Sequence, residues 1–208
     1  MLNLVFDLGN VLFRFDPEAI LAYHVPDKAL HRSLQTEVFG SVEWVMLDRG
    51  SLSIADAIAR IRQRLPESQQ AYVETLILHW QDAMGPIPGS LELIQELHEL
   101  GAKLYLLSNI SESFHDYKHE IEALGYMDGL YISSDHKLLK PDPKIYLHAA
   151  ECFGIDPHES VFIDDVAMNV EGAKRAGFHS LVFHGDTRAL RRELIALGFP
   201  LTEIGAET

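Results

Sequence analysis

Cysteine is almost absent. Cys152 is the only one in 208 residues, which excludes an intrachain disulfide framework and leaves the fold to rest on its apolar core. There is no run of about 20 apolar residues, the length a membrane-spanning helix needs. The opening segment, Met1-Leu2-Asn3-Leu4-Val5-Phe6-Asp7, has no basic region, and its apolar run is too short for a signal peptide. These absences point to a cytoplasmic protein with no membrane partner. Positive charge is scarce too: 17 Lys and Arg stand against 31 Asp and Glu, a formal net charge of -14. Such a surface repels phosphate backbones, so nucleic acid is not an expected partner. A site for a small anion on this chain needs local positive charge, most economically a bound cation.

What is present is a hydrophobic fraction of 47%, enough for one core with a modest insertion. Five apolar runs read as strands: Leu2–Leu8, Lys103–Asn109, Gly129–Asp135, Ser160–Asp165 and Ser180–His184. Several are apolar on successive residues, as in Leu104-Tyr105-Leu106-Leu107 and Val161-Phe162-Ile163, which suits strands covered on both faces of a parallel sheet. Helical periodicity fills the gaps. Ser90 is placed to cap a helix that turns Leu91, Ile94, Leu97 and Leu100 inward; Lys144–Cys152 ends at Gly154; Asn169–Ala176 ends at Gly177. Leu190, Leu194 and Leu197 mark a closing helix that can pack on the core or on a partner, so the oligomeric state stays open.

Between the first two strands the pattern is wholly helical, from about Asp16 to Met84. Asp16-Pro17-Glu18 is a helix start, Ser53 with Asp56 resembles a capping box, and Pro66 is a stop. Gly85-Pro86-Ile87-Pro88-Gly89 leads back to the sheet. The expected architecture is an α/β fold: a Rossmann-like parallel sheet core over 1–15 and 86–208, with an all-helical cap inserted over 16–85.

Polar residues gather at the strand ends: Asp7 after the first, Ser108-Asn109 after the second, Asp164-Asp165 after the fourth, with Lys140 between the third and fourth. Open parallel sheets bind ligands at the carboxyl ends of their strands, so these residues should converge. The set fits phosphoryl transfer. Asp7 can attack phosphorus to form an aspartyl-phosphate. Asp7 and Asp165 can hold Mg2+ to cancel charge. Lys140 adds a fixed cation, and the Ser108 hydroxyl and Asn109 backbone N–H can bond the phosphoryl oxygens.

Phe6-Asp7-Leu8-Gly9-Asn10-Val11-Leu12 resembles the first motif of haloacid dehalogenase-like (HAD) hydrolases. Leu107-Ser108-Asn109 is similar to the second and Lys140-Pro141-Asp142-Pro143 to the third. Phe162-Ile163-Asp164-Asp165, with Asn169 and the stretch Gly172 to Gly177, is similar to the fourth. The resemblance implies a Rossmann-like core with a closing helical lid and Asp7 as nucleophile. It also implies magnesium held by Asp7, Asp165 and the backbone carbonyl of Gly9. Many phosphatases of the family carry a second Asp, a general acid/base, where this chain has Gly9. Phosphomutase activity is therefore not expected, and the leaving-group proton must come from elsewhere or the leaving group must be a good one. Asp-Leu-Gly-Asn-Val, together with the cap stretch Trp44 to Ser53, resembles the subgroup containing bacterial alpha-D-glucose-1-phosphate phosphatases, related to the N-terminal phosphatase domain of soluble epoxide hydrolases.

Other residues have two readings each. Asp164 either stands behind Asp165 at the metal, ligating in turn, or caps the next helix. Asn169 either holds a metal-bound water or Lys140, or caps that helix. Arg49 can meet substrate, and Asp48 or Glu43 can donate a proton, or all three are exposed cap residues. Trp44 either lines the cleft or fills the cap. His115 and His119 have metal-binding spacing but no third ligand. Cys152 reads as core filler. The function expected is a magnesium-dependent phosphatase acting on a small phosphorylated metabolite, with a sugar phosphate such as glucose 1-phosphate favoured. A 2-haloacid dehalogenase and a weakly catalytic metabolite-binding protein are the alternatives.

Overall fold

The computed structural model describes residues 3–202; Leu2, expected to open the first strand, lies outside them. The apolar run after it forms β1 (Asn3–Phe6). The chain then passes through α1 (Pro17–His24), α2 (His31–Leu34), α3 (Val42–Asp48), α4 (Ile54–Arg64) and α5 (Glu67–Leu78). Next come α6 (Ser90–Glu99), β2 (Leu104–Ser108), α7 (Phe114–Tyr117), β3 (Gly129–Ile132), α8 (Ser133–His136) and α9 (Pro143–Phe153). β4 (Ser160–Asp164), α10 (Ala167–Arg175), β5 (His179–Val182) and α11 (Thr187–Ala196) follow.

All neighbouring strands are parallel, in the order β3-β2-β1-β4-β5. The unbroken apolar runs have the expected cause. Successive side chains point to opposite faces, and both faces are covered. Leu4, Phe6, Leu106 and Ile163 join a cluster that continues into the helices after β1. Val5, Tyr105, Leu107 and Phe162 join a second cluster with Ile145, Tyr146 and Ala173. Truncating fully buried Phe162 to alanine should cost about 3–5 kcal/mol.

The helical insertion is tied at its base by two backbone hydrogen bonds, Arg14 N–H to Gly85 O (2.8 Å) and Ile87 N–H to Leu12 O (3.0 Å). Its local signals act as read: the Asp16 carboxylate accepts from the N–H groups of Glu18 and Ala19, and Ser53 accepts from Asp56 N–H. Gly154 ends α9 in the left-handed region at φ 67°, where a side chain would be strained.

Three expectations need correction. The third strand stops at Ile132, because Ser133 turns its hydroxyl to the backbone of Ile110 and Asp48 and the chain coils into α8. Ser90 does not cap α6; it is the first helical residue, buried, with its hydroxyl donated to Ile87 O, while Gly89 takes the cap position. Cys152 is exposed: its helix turns Ala149 and Ala150 inward and leaves Cys152 outside.

Candidate active site

β1, β2 and β4 end together where the strand order reverses direction, the place at which such sheets open a crevice. Asp7 directly follows β1. Its Oδ1 accepts from Leu8 N–H at 2.8 Å and lies 2.7 Å from Lys140 Nζ. Oδ2 has no hydrogen-bond partner among the described residues, so one oxygen is held and the other is free.

Lys140 is buried, and its Nζ also lies 2.7 Å from Asp164 Oδ2 and 3.1 Å from Leu107 O. Its backbone is clamped by Asn109, whose side chain donates to Lys140 O at 3.0 Å and accepts from Lys140 N–H at 2.9 Å. Burial alone would lower the lysine pKa, but Asp7 and Asp164 outweigh it and hold the ammonium above its usual range.

Asp164 is fully buried. Its carboxylate accepts from Val166 N–H at 2.8 Å and from Asn169 Nδ2 at 3.0 and 3.1 Å. Both alternatives read for Asp164 are thus partly realised, since it bonds the start of α10 and also faces the cluster. The Asn169 side chain bonds neither Lys140 nor the start of its helix; it anchors Asp164. Asp165 is half-buried and accepts from Asn10 Nδ2 at 3.3 Å.

One carboxylate oxygen from each of Asp7, Asp164 and Asp165 falls within 4.8 Å of the others. Burial, opposed by Lys140 and reinforced by Asp164, pushes the Asp7 carboxyl up to about 7; burial and then Asp164 raise Asp165. Three carboxylates share one ammonium, and such crowded hard oxygen donors are matched to a small divalent cation. A Cβ at Gly9 would meet nothing within 4 Å, so glycine is not required there for room.

Above these groups lies a cavity of about 260 Å³ lined by Asp7, Gly9, Ser108, Asn109, Lys140 and Asp165 on the sheet side. Ser108, as expected, reaches it at the end of β2. The opposite wall is Phe15, Trp44, Trp80 and Asp48. Phe15 packs edge-on against Trp80, centroids 5.2 Å apart, and lies 5.7 Å from Trp44. The Asp48 carboxyl is raised well above the ordinary range, first by burial and then by Asp7.

Arg49 does not line this cavity; it is exposed at the end of α3. Glu43 turns away into a two-point ion pair with Arg64 at 2.9 and 2.8 Å. His115 pairs with Asp135 at 3.0 Å while His119 approaches Glu120, so the two histidines do not share a site.

Sequence reasoning missed Asn10 as a bracket: it sits at φ 54° and also accepts from Phe15 N–H at 2.9 Å, tying Asp165 to the base of the cap. The signal was present, since asparagine after glycine at a strand end favours the left-handed turn. Phe15 and Trp80 left no such signal, because an aromatic at helical spacing looks the same whether it faces core or cleft.

A Rossmann-like sheet with a buried lysine and a carboxylate cluster at its switch point, under a helical insertion, gives the class of the chain as a hydrolase. The chain belongs to the haloacid dehalogenase-like hydrolases, whose family model matches residues 2–177. It is 26% identical over 180 residues to a sesquiterpene phosphatase of Aspergillus oryzae, covering 85% of this chain and 87% of that protein. A predicted HAD-like family hydrolase from Porphyromonas gingivalis superposes with a TM-score of 0.72 at 25% identity, covering 93% and 98% of the two chains. The fold also matches a HAD family enzyme of Bacteroides thetaiotaomicron crystallised with magnesium and inorganic phosphate, at TM-score 0.65, 23% identity and 88% and 93% coverage.

Proposed function

We propose that this hydrolase is a magnesium-dependent phosphatase of small phosphorylated metabolites that works through an aspartyl-phosphate on Asp7. The observation that carries the reading is the asymmetry of Asp7: Oδ1 is held by Lys140 and Leu8 N–H, and Oδ2 is free at the cavity. A nucleophile needs one oxygen aimed and unencumbered. Lys140 would supply positive charge to the phosphoryl group, and the Ser108 hydroxyl and the Asn109 backbone N–H, both on residues that line the cavity, would donate to its oxygens. Asp7, Asp165, the Gly9 carbonyl and, in closest support, Asp164 would hold Mg2+, which supplies charge neutralisation at the phosphoryl group. The same carboxylate cluster disfavours dehalogenation, because a 2-haloacid would bring a further carboxylate to it.

The aromatic wall of Phe15, Trp44 and Trp80 favours a leaving group with an apolar face. A sugar phosphate such as glucose 1-phosphate offers the C–H face of its ring, and a terpenyl phosphate offers hydrocarbon. Both belong in a phosphate-release screen of wild type and Asp7→Asn, with magnesium and with chelator. Magnesium-dependent release by wild type, lost in Asp7→Asn, is expected. Full activity in Asp7→Asn would overturn the mechanism, and chloride release from 2-haloacids without metal would replace the reaction. A cytoplasmic location is part of this proposal; among the described residues no helix is long and apolar enough to cross a membrane.

A further inference from the structure

Breaking a phosphate ester of an ordinary alcohol requires a proton for the departing oxygen, and Gly9 has none to give. We propose that Asp48, reaching over from the helical cap, is the general acid/base of this site. The inference rests on the phosphatase reading above and adds the residue that this reading leaves unassigned.

The location singles Asp48 out. The cavity wall facing Asp7 is otherwise aromatic, and Asp48 is its only acidic side chain. The candidates on the sheet side are committed elsewhere: Lys140 is spent on Asp7, Asp164 and Leu107 O, and Asp165 takes the Asn10 amide. The Asp48 side chain, by contrast, makes no hydrogen bond or ion pair among the described residues, whereas Glu43 on the same helix is fully paired. A half-buried carboxyl with no partner is costly, so neither packing nor pairing accounts for an aspartate at this point of the cleft.

Its backbone is also fixed to the core. Ser133 donates its hydroxyl to Asp48 O at 2.5 Å and accepts from Ile110 N–H at 2.9 Å, next to the Ser108-Asn109 end of β2. Two residues on, Gly50 sits so close to the sheet end that a Cβ would fall 2.1 Å from Ser134 O. Residues 48–50 are thereby seated on the same strand ends that carry the nucleophile, so Asp48 is held over the site by the fold itself.

The step balances without a co-reactant beyond water. Asp7 Oδ2 forms a bond to phosphorus as the bond to the ester oxygen breaks. The electron pair stays on that oxygen, which takes the Asp48 proton and leaves as the alcohol. Water then attacks the aspartyl-phosphate and gives its proton to the Asp48 carboxylate. Phosphate departs, and both Asp7 and Asp48 return to their starting states.

The test compares wild type, Asp48→Asn, Asp48→Glu and Asp7→Asn on p-nitrophenyl phosphate, whose leaving group needs no proton, and on an alkyl phosphate such as glycerol 2-phosphate. Asp48→Asn should slow the first step, alcohol release followed in a single turnover, about a hundredfold or more on the alkyl ester and by less than about tenfold on p-nitrophenyl phosphate, while hydrolysis of the aspartyl-phosphate, common to both, slows alike. Asp48→Glu should recover part of the alkyl-ester rate, which also guards against a folding defect in the amide variant. An equal loss in single-turnover alcohol release on both substrates, or a change confined to KM, overturns the assignment while leaving the phosphatase reading intact. If wild type releases no phosphate, or Asp7→Asn releases as much as wild type, the phosphatase reading itself fails and this proposal goes with it.

Discussion

Lys140 Nζ stands 2.7 Å from Asp7 Oδ1, and both side chains are buried. The lysine is the single cation among the residues lining the cavity and lies against two of the three clustered carboxylates, Asp7 and Asp164. Removing one partner of a buried pair leaves the others uncompensated, at a cost of about 3–5 kcal/mol. Lys140→Met is therefore expected to destabilise the fold by about that amount in a denaturant titration. Phosphate release should fall by at least about a hundredfold, because the fixed positive charge beside the reacting phosphoryl group is lost.

The same charge deficit predicts how the protein responds to metal without any turnover. Mg2+ that binds the native cluster and not the unfolded chain raises stability by mass action, by about 2.7 kcal/mol at a hundred times its dissociation constant. Tm should rise with added magnesium and return on chelation. Asp165→Asn removes one of the three carboxylates that come within 4.8 Å of one another and should flatten that response. A Tm independent of magnesium in wild type would remove the metal from the site.

Much of this architecture was legible in the chain. The unbroken apolar runs gave the parallel sheet because both faces really are covered, and Asp16, Ser53 and Gly154 act as caps through the bonds their types suggest. Asp7, Ser108, Lys140 and Asp165 were readable because strand ends in a parallel sheet share one edge. What was not legible depends on contacts between distant segments. Whether Asp48 or Arg49 meets the cleft is decided by which of two neighbours faces inward where α3 lands on Ser133, and no local periodicity records that. Cys152 shows the same limit, since a helix stretch rich in apolar residues still has an outer face.

The cap carries its own pH dependence. Hydrogen bonds from Arg64 hold the Glu43 carboxyl below its ordinary value of 4.5. A depressed folded-state pKa contributes stability that is present above the unfolded value and is lost as pH falls through the folded one. Unfolding midpoints followed from pH 6 downward should therefore drop in the acid range below about 4.5. Glu43→Gln should be less stable than wild type at pH 6, by about 1.5–3 kcal/mol for bonds to a charged group. The two should converge as the pH is lowered, whereas parallel curves would show that the pair contributes nothing to the cap.

Gly9 offers the converse experiment to removing Asp48. A Cβ there meets no atom within 4 Å, and Gly9 lines the cavity, so Gly9→Asp meets no steric bar and should fold, at a cost of about 1–3 kcal/mol for a further carboxyl at the cluster. The new carboxyl would stand beside Asp7, Asp164 and Asp165, and burial with like charge raises the pKa of such a group. It would accordingly enter as an acid able to protonate a leaving oxygen. In an Asp48→Asn background, Gly9→Asp should return at least about tenfold of the lost rate on an alkyl phosphate, within the range a positioned acid supplies, and change the p-nitrophenyl phosphate rate far less. Single-turnover rates of alcohol release from the two esters, compared across the single and double variants, decide it. Recovery specific to the poor leaving group would mean that the two positions supply the same proton from opposite walls of one cavity, and no recovery would mean that Gly9 marks a site whose geometry excludes an acid on the sheet side.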